Sequence, residues 1–104
     1  MERWHDVAAE DAIPPGSFEI LETDELIAAV FNIDGELFAI EDVCSHDGAE
    51  LAGGPVDDHQ VICPRHGARF CLRTGRALTP PAYKDIRTFP VRVRDGRVEV
   101  GLPE

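Results

Sequence analysis

The sequence of 104 residues is long enough for one compact domain and too short for two independent hydrophobic cores. Hydrophobic residues make up 43% of it, which is ordinary for a globular protein and argues against a disordered chain. The net charge of −10 argues against nucleic-acid binding, because contacts to phosphates need clustered cations.

The N-terminal segment, residues 1–15, is acidic and contains no apolar run, unlike a secretory signal or a membrane anchor. No stretch of the sequence approaches the roughly 20 apolar residues that cross a bilayer. We therefore expect no membrane attachment and a cytoplasmic location.

Charge is distributed unevenly along the chain. Residues 1–62 hold sixteen acidic residues and one basic residue, whereas residues 63–104 hold nine basic and four acidic residues. Two interpretations are open: a solvated surface that keeps the chain monomeric, or a docking surface for a basic protein partner, whose long-range attraction salt would weaken.

Short apolar runs separated by turns predict strands in the first half of the chain. Residues 17–21 and 26–32 are such runs, and after an Asp34-Gly35 turn residues 37–40 form the next. No segment shows a 3.6-residue period over ten or more residues. Residues 22–30 are the best helical candidate, but the runs beside them favour a strand.

The clearest hairpin lies near the C-terminus. Residues 89–94 alternate apolar and charged side chains, Asp95-Gly96 makes the turn, and residues 97–100 return with the same period of two. The face predicted to be buried consists of Phe89, Val91, Val93, Val98 and Val100. The face predicted to meet water consists of Arg92, Arg94, Arg97 and Glu99. The pattern is typical of an all-β protein, a sandwich or a small barrel.

The middle of the chain, residues 43–71, is rich in Gly, Pro, Asp, His and Cys. Such a segment cannot bury enough apolar surface to fix its own conformation, so a bound metal centre is expected to hold it. The chain has three cysteines, and an odd number without a secretion signal argues against a disulfide framework.

Two short motifs in this segment carry thiols and imidazoles. Cys44-Ser45-His46 and Cys63-Pro64-Arg65-His66 are separated by sixteen residues, and together they offer two sulfur and two nitrogen ligands. Zinc accepts that set, but zinc fingers usually group cysteines with cysteines and histidines with histidines. A mixed pair in each loop suits a cluster with two inequivalent irons.

The motif pair resembles the Rieske [2Fe–2S] signature. The flanking residues 44–49 and 63–70 follow that pattern closely, and residues 72–75 and Pro80-Pro81 are similar to its following turn and its proline-containing covering loop. The resemblance extends over essentially the whole chain. It implies an all-β Rieske fold: an antiparallel β-sandwich base of residues 1–42 and 72–104, with a small cluster-binding subdomain, residues 43–71, inserted into it.

The resemblance also implies the ligands of one [2Fe–2S] cluster. Cys44 and Cys63 would bind the inner iron, and His46 and His66 would bind the outer iron near the surface, where the imidazoles provide an exit for an electron. Cys71 lies outside this set, as a small filler next to the cluster or as a redox-active thiol.

Departures from the high-potential members of the family suggest a low potential. Those members carry an extra disulfide at the positions of Ala49 and Arg65, and serine and tyrosine hydroxyls, directed at sulfur, at the positions of Ala68 and Phe70. Hydrogen bonds to sulfur raise the potential. Without them, and with Asp47 beside His46, we predict a potential near the low end of the Rieske range, about −150 mV.

The expected function is that of a soluble one-electron carrier, which passes electrons from a flavin-dependent ferredoxin reductase to a terminal oxygenase of the ring-hydroxylating dioxygenase type. Oxygenation itself needs a mononuclear iron held by two histidines and a carboxylate. Beyond the cluster ligands only His5 and His59 remain, so the chain is not expected to be an enzyme. The alternative is an accessory or regulatory Rieske protein in iron–sulfur assembly or nitrite reduction.

Overall fold

The computed structural model describes residues 2–103, and these form ten strands in three antiparallel sheets. The strands are β1 Glu2–Ala9, β2 Phe18–Glu22, β3 Ile27–Ile33, β4 Glu36–Glu41, β5 Val56–Asp57, β6 Gln60–Ile62, β7 Arg69–Cys71, β8 Thr88–Phe89, β9 Val91–Arg94 and β10 Arg97–Pro103. Within this range the helical content is a single 3₁₀ turn, Glu10–Ala12, and no helix is long and apolar enough to cross a membrane. The predicted all-β class is confirmed.

Two of the sheets pack against each other as a sandwich. One has the strand order β1-β10-β9 and the other β2-β3-β4-β8. The core between them consists of Ile13, Ala28, Val30, Ala39, Phe89, Val98, Val100 and Leu102. The first and last strands of the chain are neighbours, because β1 pairs with β10 from Glu2↔Pro103 to Ala9↔Arg97. Both termini therefore contribute to the same sheet.

The third sheet, β5-β6-β7, covers the other face of the four-stranded sheet. A second core lies between them and contains Ala29, Phe31, Ile40, Leu51, Val61, Phe70 and Leu72, together with Cys44 and Cys63. Strand β3 consequently buries both of its faces, which explains why residues 28–31 are all apolar and do not alternate. The boundaries of a separate base and subdomain stay a prediction.

The predicted strands at residues 17–21, 26–32 and 37–40 agree with β2, β3 and β4 to within one residue at each end. Asp34 and Gly35 both have positive φ, 54° and 91°, as a tight hairpin turn of this type requires. Strand β1 was not predicted, because its sequence mixes charged and apolar residues without a clear period.

The C-terminal hairpin is confirmed, but its first strand is divided. At Pro90, which cannot donate a backbone hydrogen bond, the chain passes from β8, paired with β4, to β9, paired with β10. Val98 and Val100 are fully buried, as predicted. The prediction for Val93 is wrong: its side chain is 44% exposed, because β9 is an edge strand and Val93 lies near its open end.

Candidate metal centre

The two predicted ligand loops have the same backbone hydrogen bonds. In loop 1, residues 44–49, the Cys44 N–H donates to the Ala49 carbonyl at 2.7 Å, and the Gly48 N–H donates to the Cys44 carbonyl at 2.8 Å. In loop 2, residues 63–68, the corresponding bonds are Cys63 to Ala68 at 2.7 Å and Gly67 to Cys63 at 3.0 Å. Each loop is thus a closed turn with its cysteine at one end.

A glycine occupies the fifth position of each loop for a conformational reason. Gly48 has φ 78° and Gly67 has φ 76°, and both values lie in the left-handed region that side chains disfavour. The equivalence is visible in the sequence once Cys44–Ala49 and Cys63–Ala68 are aligned from their cysteines. Both then read Cys-x-x-x-Gly-Ala.

The two cysteines point into the protein. Both are buried and free, and their Sγ atoms lie within 4.8 Å of each other and of a carboxylate oxygen of Asp47. Burial raises the pKa of the Cys44 thiol, although the N–H groups of His46 and Asp47, directed at its sulfur, oppose this. Two adjacent sulfur atoms in a buried, low-dielectric environment form a suitable site for a metal cation, because the cation stabilises both of them as thiolates.

The two histidines lie at the surface, in contrast to the cysteines. Both are exposed, and their rings meet edge to face with centroids 5.1 Å apart and an interplanar angle of 88°. The structure therefore brings all four residues of the sequence motif together, with sulfur inside and imidazole outside. Their role as ligands stays a prediction.

Asp47 connects the two loops, a contact that sequence reasoning missed. One of its carboxylate oxygens lies 3.2 Å from Nδ1 of His66 and 3.7 Å from Nε of Arg65. The other accepts the Ala49 N–H at 3.0 Å. The Ala49 N–H and the Arg65 cation hold the pKa of Asp47 below its usual value. The contact is not evident from the sequence, because Asp47 and His66 lie on different loops that only the folded structure brings together.

Two further contacts hold loop 1 in place. The buried carboxylate of Asp42 accepts the N–H groups of Leu51 and Ala52, both at 2.8 Å, and so fixes the chain on either side of loop 1. The Ser45 hydroxyl donates to the backbone carbonyl of Lys84 and so joins loop 1 to residues that follow β7. These contacts position loop 1, and neither Asp42 nor Ser45 belongs to the proposed ligand set.

Two of the residues invoked for the low potential lie within the second core. Ala68 and Phe70 are both fully buried, and neither has a hydroxyl group. Between them in the sequence, the guanidinium group of Arg69 donates hydrogen bonds to Asp57 at 3.1 Å and to Gln60 at 3.2 Å. Arg65, by contrast, is 64% exposed beside the histidines.

Cys71 lies apart from the donor groups found among residues 2–103. Burial raises the pKa of its thiol, but hydrogen bonds from the Thr74 hydroxyl and the Thr74 and Arg73 N–H groups outweigh this, and the pKa is lowered overall.

His59 lies outside the ligand loops and contacts two other side chains. Its Nδ1 is 2.8 Å from Asp58, and its Nε2 is 3.1 Å from Arg73.

The donor set fits a mixed-ligand iron–sulfur cluster. Two adjacent sulfur atoms and two adjacent imidazoles form separate pairs, as a cluster with two inequivalent irons requires. A model of the Rieske [2Fe–2S] domain matches residues 3–90. The chain belongs to the Rieske [2Fe–2S] domain family. Membership implies a Rieske cluster as cofactor.

Curated proteins and solved structures similar to this Rieske protein include ferredoxins. The 3-phenylpropionate/cinnamic acid dioxygenase ferredoxin subunit of Escherichia coli K12 is 44% identical over 93 residues, which cover 88% of this chain and 87% of that protein. A solved complex of reduced oxygenase and oxidised ferredoxin in carbazole 1,9a-dioxygenase contains a chain that is 31% identical, with a TM-score of 0.88 over 93% of this chain and 91% of that one.

A second similar structure comes from a different system. It is a putative NADH-dependent nitrite reductase small subunit from Mycobacterium tuberculosis, 26% identical, with a TM-score of 0.87 over 100% of this chain and 98% of that one. The comparisons confirm the predicted family, the cofactor and an electron-carrier function in which this Rieske ferredoxin is not itself the oxygenase.

Proposed function

We propose that this Rieske ferredoxin receives single electrons from a flavin-dependent ferredoxin reductase and passes them to a terminal oxygenase of the ring-hydroxylating dioxygenase type. The observation that carries the proposal is the pairing of two buried thiols with two exposed imidazoles on matched loops. A bound Rieske cluster supplies a site that gains and loses one electron.

The proposal assigns a role to each of the four side chains. Cys44 and Cys63 hold the inner iron, where burial keeps water from the sulfur ligands. His46 and His66 hold the outer iron and present imidazole to the surface, with 49% of the His66 side chain exposed. In this proposal residues 43–71 form the cluster-binding subdomain, and residues 1–42 and 72–104 form the base.

The proposed partners are proteins alone. The oxygenase is supported by the similar ferredoxin that was solved in complex with an oxygenase. A net charge of −10 disfavours nucleic acid or an anionic membrane surface as a partner. The proposed location is the cytoplasm, where thiols stay reduced.

Electron delivery within a nitrite reductase is a second candidate function, because the putative small subunit of such an enzyme has a similar fold over the whole chain. The two candidate functions differ in the protein that accepts the electron, an oxygenase or a nitrite reductase. Both use the same proposed cluster ligands. Only an acceptor assay separates them. The remaining alternative, a role in iron–sulfur assembly, has no similar structure or relative among those described above.

The test uses the cluster-loaded protein, reduced with dithionite, desalted without oxygen, and mixed with the oxygenase component of the E. coli 3-phenylpropionate/cinnamic acid dioxygenase system, 3-phenylpropionate and oxygen. We expect the ferredoxin to be reoxidised faster than by oxygen alone, with hydroxylated product formed. Mixing without oxygenase is the control. Reoxidation no faster than in that control would contradict the proposal, and rapid oxidation by nitrite with a nitrite reductase large subunit would favour the second candidate.

A further inference from the structure

The segment that follows β7, residues 77–86, is a strap that crosses the second core beside loop 1. The Leu78 N–H donates to the Arg69 carbonyl at 2.8 Å, and the Ile86 N–H donates to the Gly75 carbonyl at 2.8 Å, so both ends are fixed. Ala82, in the middle, is buried in the core that contains both cysteines. The strap is therefore held in place without a partner protein.

The strap nevertheless presents apolar side chains to solvent. Tyr83 is 84% exposed, and Leu78 is 41% exposed. Within residues 2–103 the Tyr83 ring has no aromatic or cation–π partner. Single exposed apolar residues are common in monomeric proteins, so the exposure alone indicates nothing. What distinguishes Tyr83 is its position.

Tyr83 belongs to the part of the strap that borders loop 1. The Lys84 carbonyl, one residue beyond it, accepts the Ser45 hydroxyl, and Ser45 directly precedes His46. Ser45, Gly48 and Lys84 also line one shallow groove, which shows that the strap and loop 1 form a continuous surface. A partner that approaches His46 therefore meets the strap where it borders loop 1.

The chemistry of Tyr83 suits a docking anchor. A tyrosine has few rotatable bonds, so ordering it at an interface costs little conformational entropy, and it offers a large apolar ring. Tyrosine is among the residues that most often contribute strongly to binding when they fill a pocket at the centre of an interface. Its backbone is already fixed on both sides, by the burial of Ala82 and by the Lys84 contact.

We propose that Tyr83 anchors this ferredoxin on its electron acceptor by filling an apolar recess in the terminal oxygenase beside the point where the imidazoles dock. This inference rests on the proposed function, because it takes the oxygenase as the occupant of the surface.

The experiment compares Tyr83→Ala and Tyr83→Phe with the unchanged protein, all loaded with cluster. The prereduced proteins are titrated against the same E. coli oxygenase component, and the ferredoxin concentration that gives half-maximal reoxidation rate is measured. We expect Tyr83→Ala to raise it about tenfold or more, as for loss of an interface hot spot. Tyr83→Phe, which keeps the ring, should stay near the unchanged protein. Visible spectrum and potential should be unaltered in both.

Val93→Ala is the matched control, because Val93 is an exposed apolar residue on β9, outside the strap and the ligand loops. It should leave the half-maximal concentration unchanged. A second assay follows reduction of each variant by NADH and a flavin reductase, and Tyr83→Ala should behave there like the unchanged protein.

The possible results are distinguishable. Equal half-maximal concentrations for Tyr83→Ala and the unchanged protein, with oxygenase turnover intact, would overturn the anchor alone. A defect confined to the reductase assay would also overturn it, since the surface would then serve the donor. Failure of the unchanged protein to donate to the oxygenase would overturn the proposed function and the anchor together.

Discussion

Loop 1 and loop 2 share a backbone but differ in where the histidine stands. Both begin with cysteine and end with Gly-Ala, and both close with the same two hydrogen bonds. His46 is the third residue of loop 1, whereas His66 is the fourth residue of loop 2. The other of these two positions carries a charged residue, Asp47 in loop 1 and Arg65 in loop 2. The Asp47 carboxylate lies 3.7 Å from Nε of Arg65.

The difference shows which features the site constrains tightly. The cysteine position is the same in both loops because the sulfur must point into the core from a fixed turn. The imidazole reaches the surface from either the third or the fourth residue, because it is exposed and needs only to lie beside its partner. In each loop the charged residue occupies the third or fourth position, whichever the histidine does not occupy.

The largest expected effect is loss of the cofactor when either imidazole is removed. Although the histidines stand at different positions, His46→Ala and His66→Ala should each lose the visible spectrum and the bound iron, because in the proposed ligand set each substitution removes one of the two nitrogen ligands of the same iron. His5→Ala, outside the loops, is the control and should keep both. Full iron content in either loop variant, measured by iron and sulfide analysis, would contradict the ligand assignment.

A smaller effect is expected from the shared glycines. In Gly48→Ala and Gly67→Ala the new Cβ would meet nothing within 4 Å, so the cost comes only from the left-handed backbone. That cost is about 1–2 kcal/mol. In a domain of this size it corresponds to a decrease in Tm of roughly 5–15 °C.

Thermal unfolding of the two cluster-loaded variants tests the equivalence of the loops directly. Nearly equal decreases in Tm are expected, because the two φ values differ by only a few degrees. A large decrease in one variant and none in the other would show that the loops are not conformationally equivalent.

The smallest effect concerns the last residue of each loop. Ala68→Ser places a hydroxyl where high-potential Rieske proteins direct one at sulfur, and it should raise the potential from about −150 mV by an amount on the order of tens of millivolts. Ala49→Ser, at the matching position of loop 1, should change the potential little. Redox titration measures both. A potential of the unchanged protein well above 0 mV, or equal shifts in the two variants, would contradict the explanation.

Much of the fold follows from local patterns. The hairpins at Asp34-Gly35 and Asp95-Gly96 were predicted because a two-residue turn with positive φ has a recognisable composition. The division of the last hairpin's first strand between two sheets was not predicted, since alternation in residues 89–94 says nothing about which neighbour each half pairs with. Strand β1 was missed for a related reason: its pairing with β10 joins opposite ends of the sequence.

The candidate site shows the same limit. The four proposed ligands could be named from spacing, because a thiol and an imidazole from one short turn form a local pattern. The Asp47–His66 contact, the Ser45–Lys84 hydrogen bond and the surface around Tyr83 could not, because they join residues on separate segments.

By itself, the sequence determined the all-β class, the Rieske motif, the cofactor that the motif implies and the turns of two hairpins, since each of these depends on residues close together in the chain. Only the tertiary structure decided which β3 residues face which core, how Pro90 divides the last hairpin, and that the strap borders loop 1. These features depend on contacts across long stretches of chain, such as the hydrogen bond between Ser45 and Lys84, which lie 39 positions apart in the sequence. The packing of distant segments against one another fixes these features, and a local pattern of side chains does not show which distant segments will pack together.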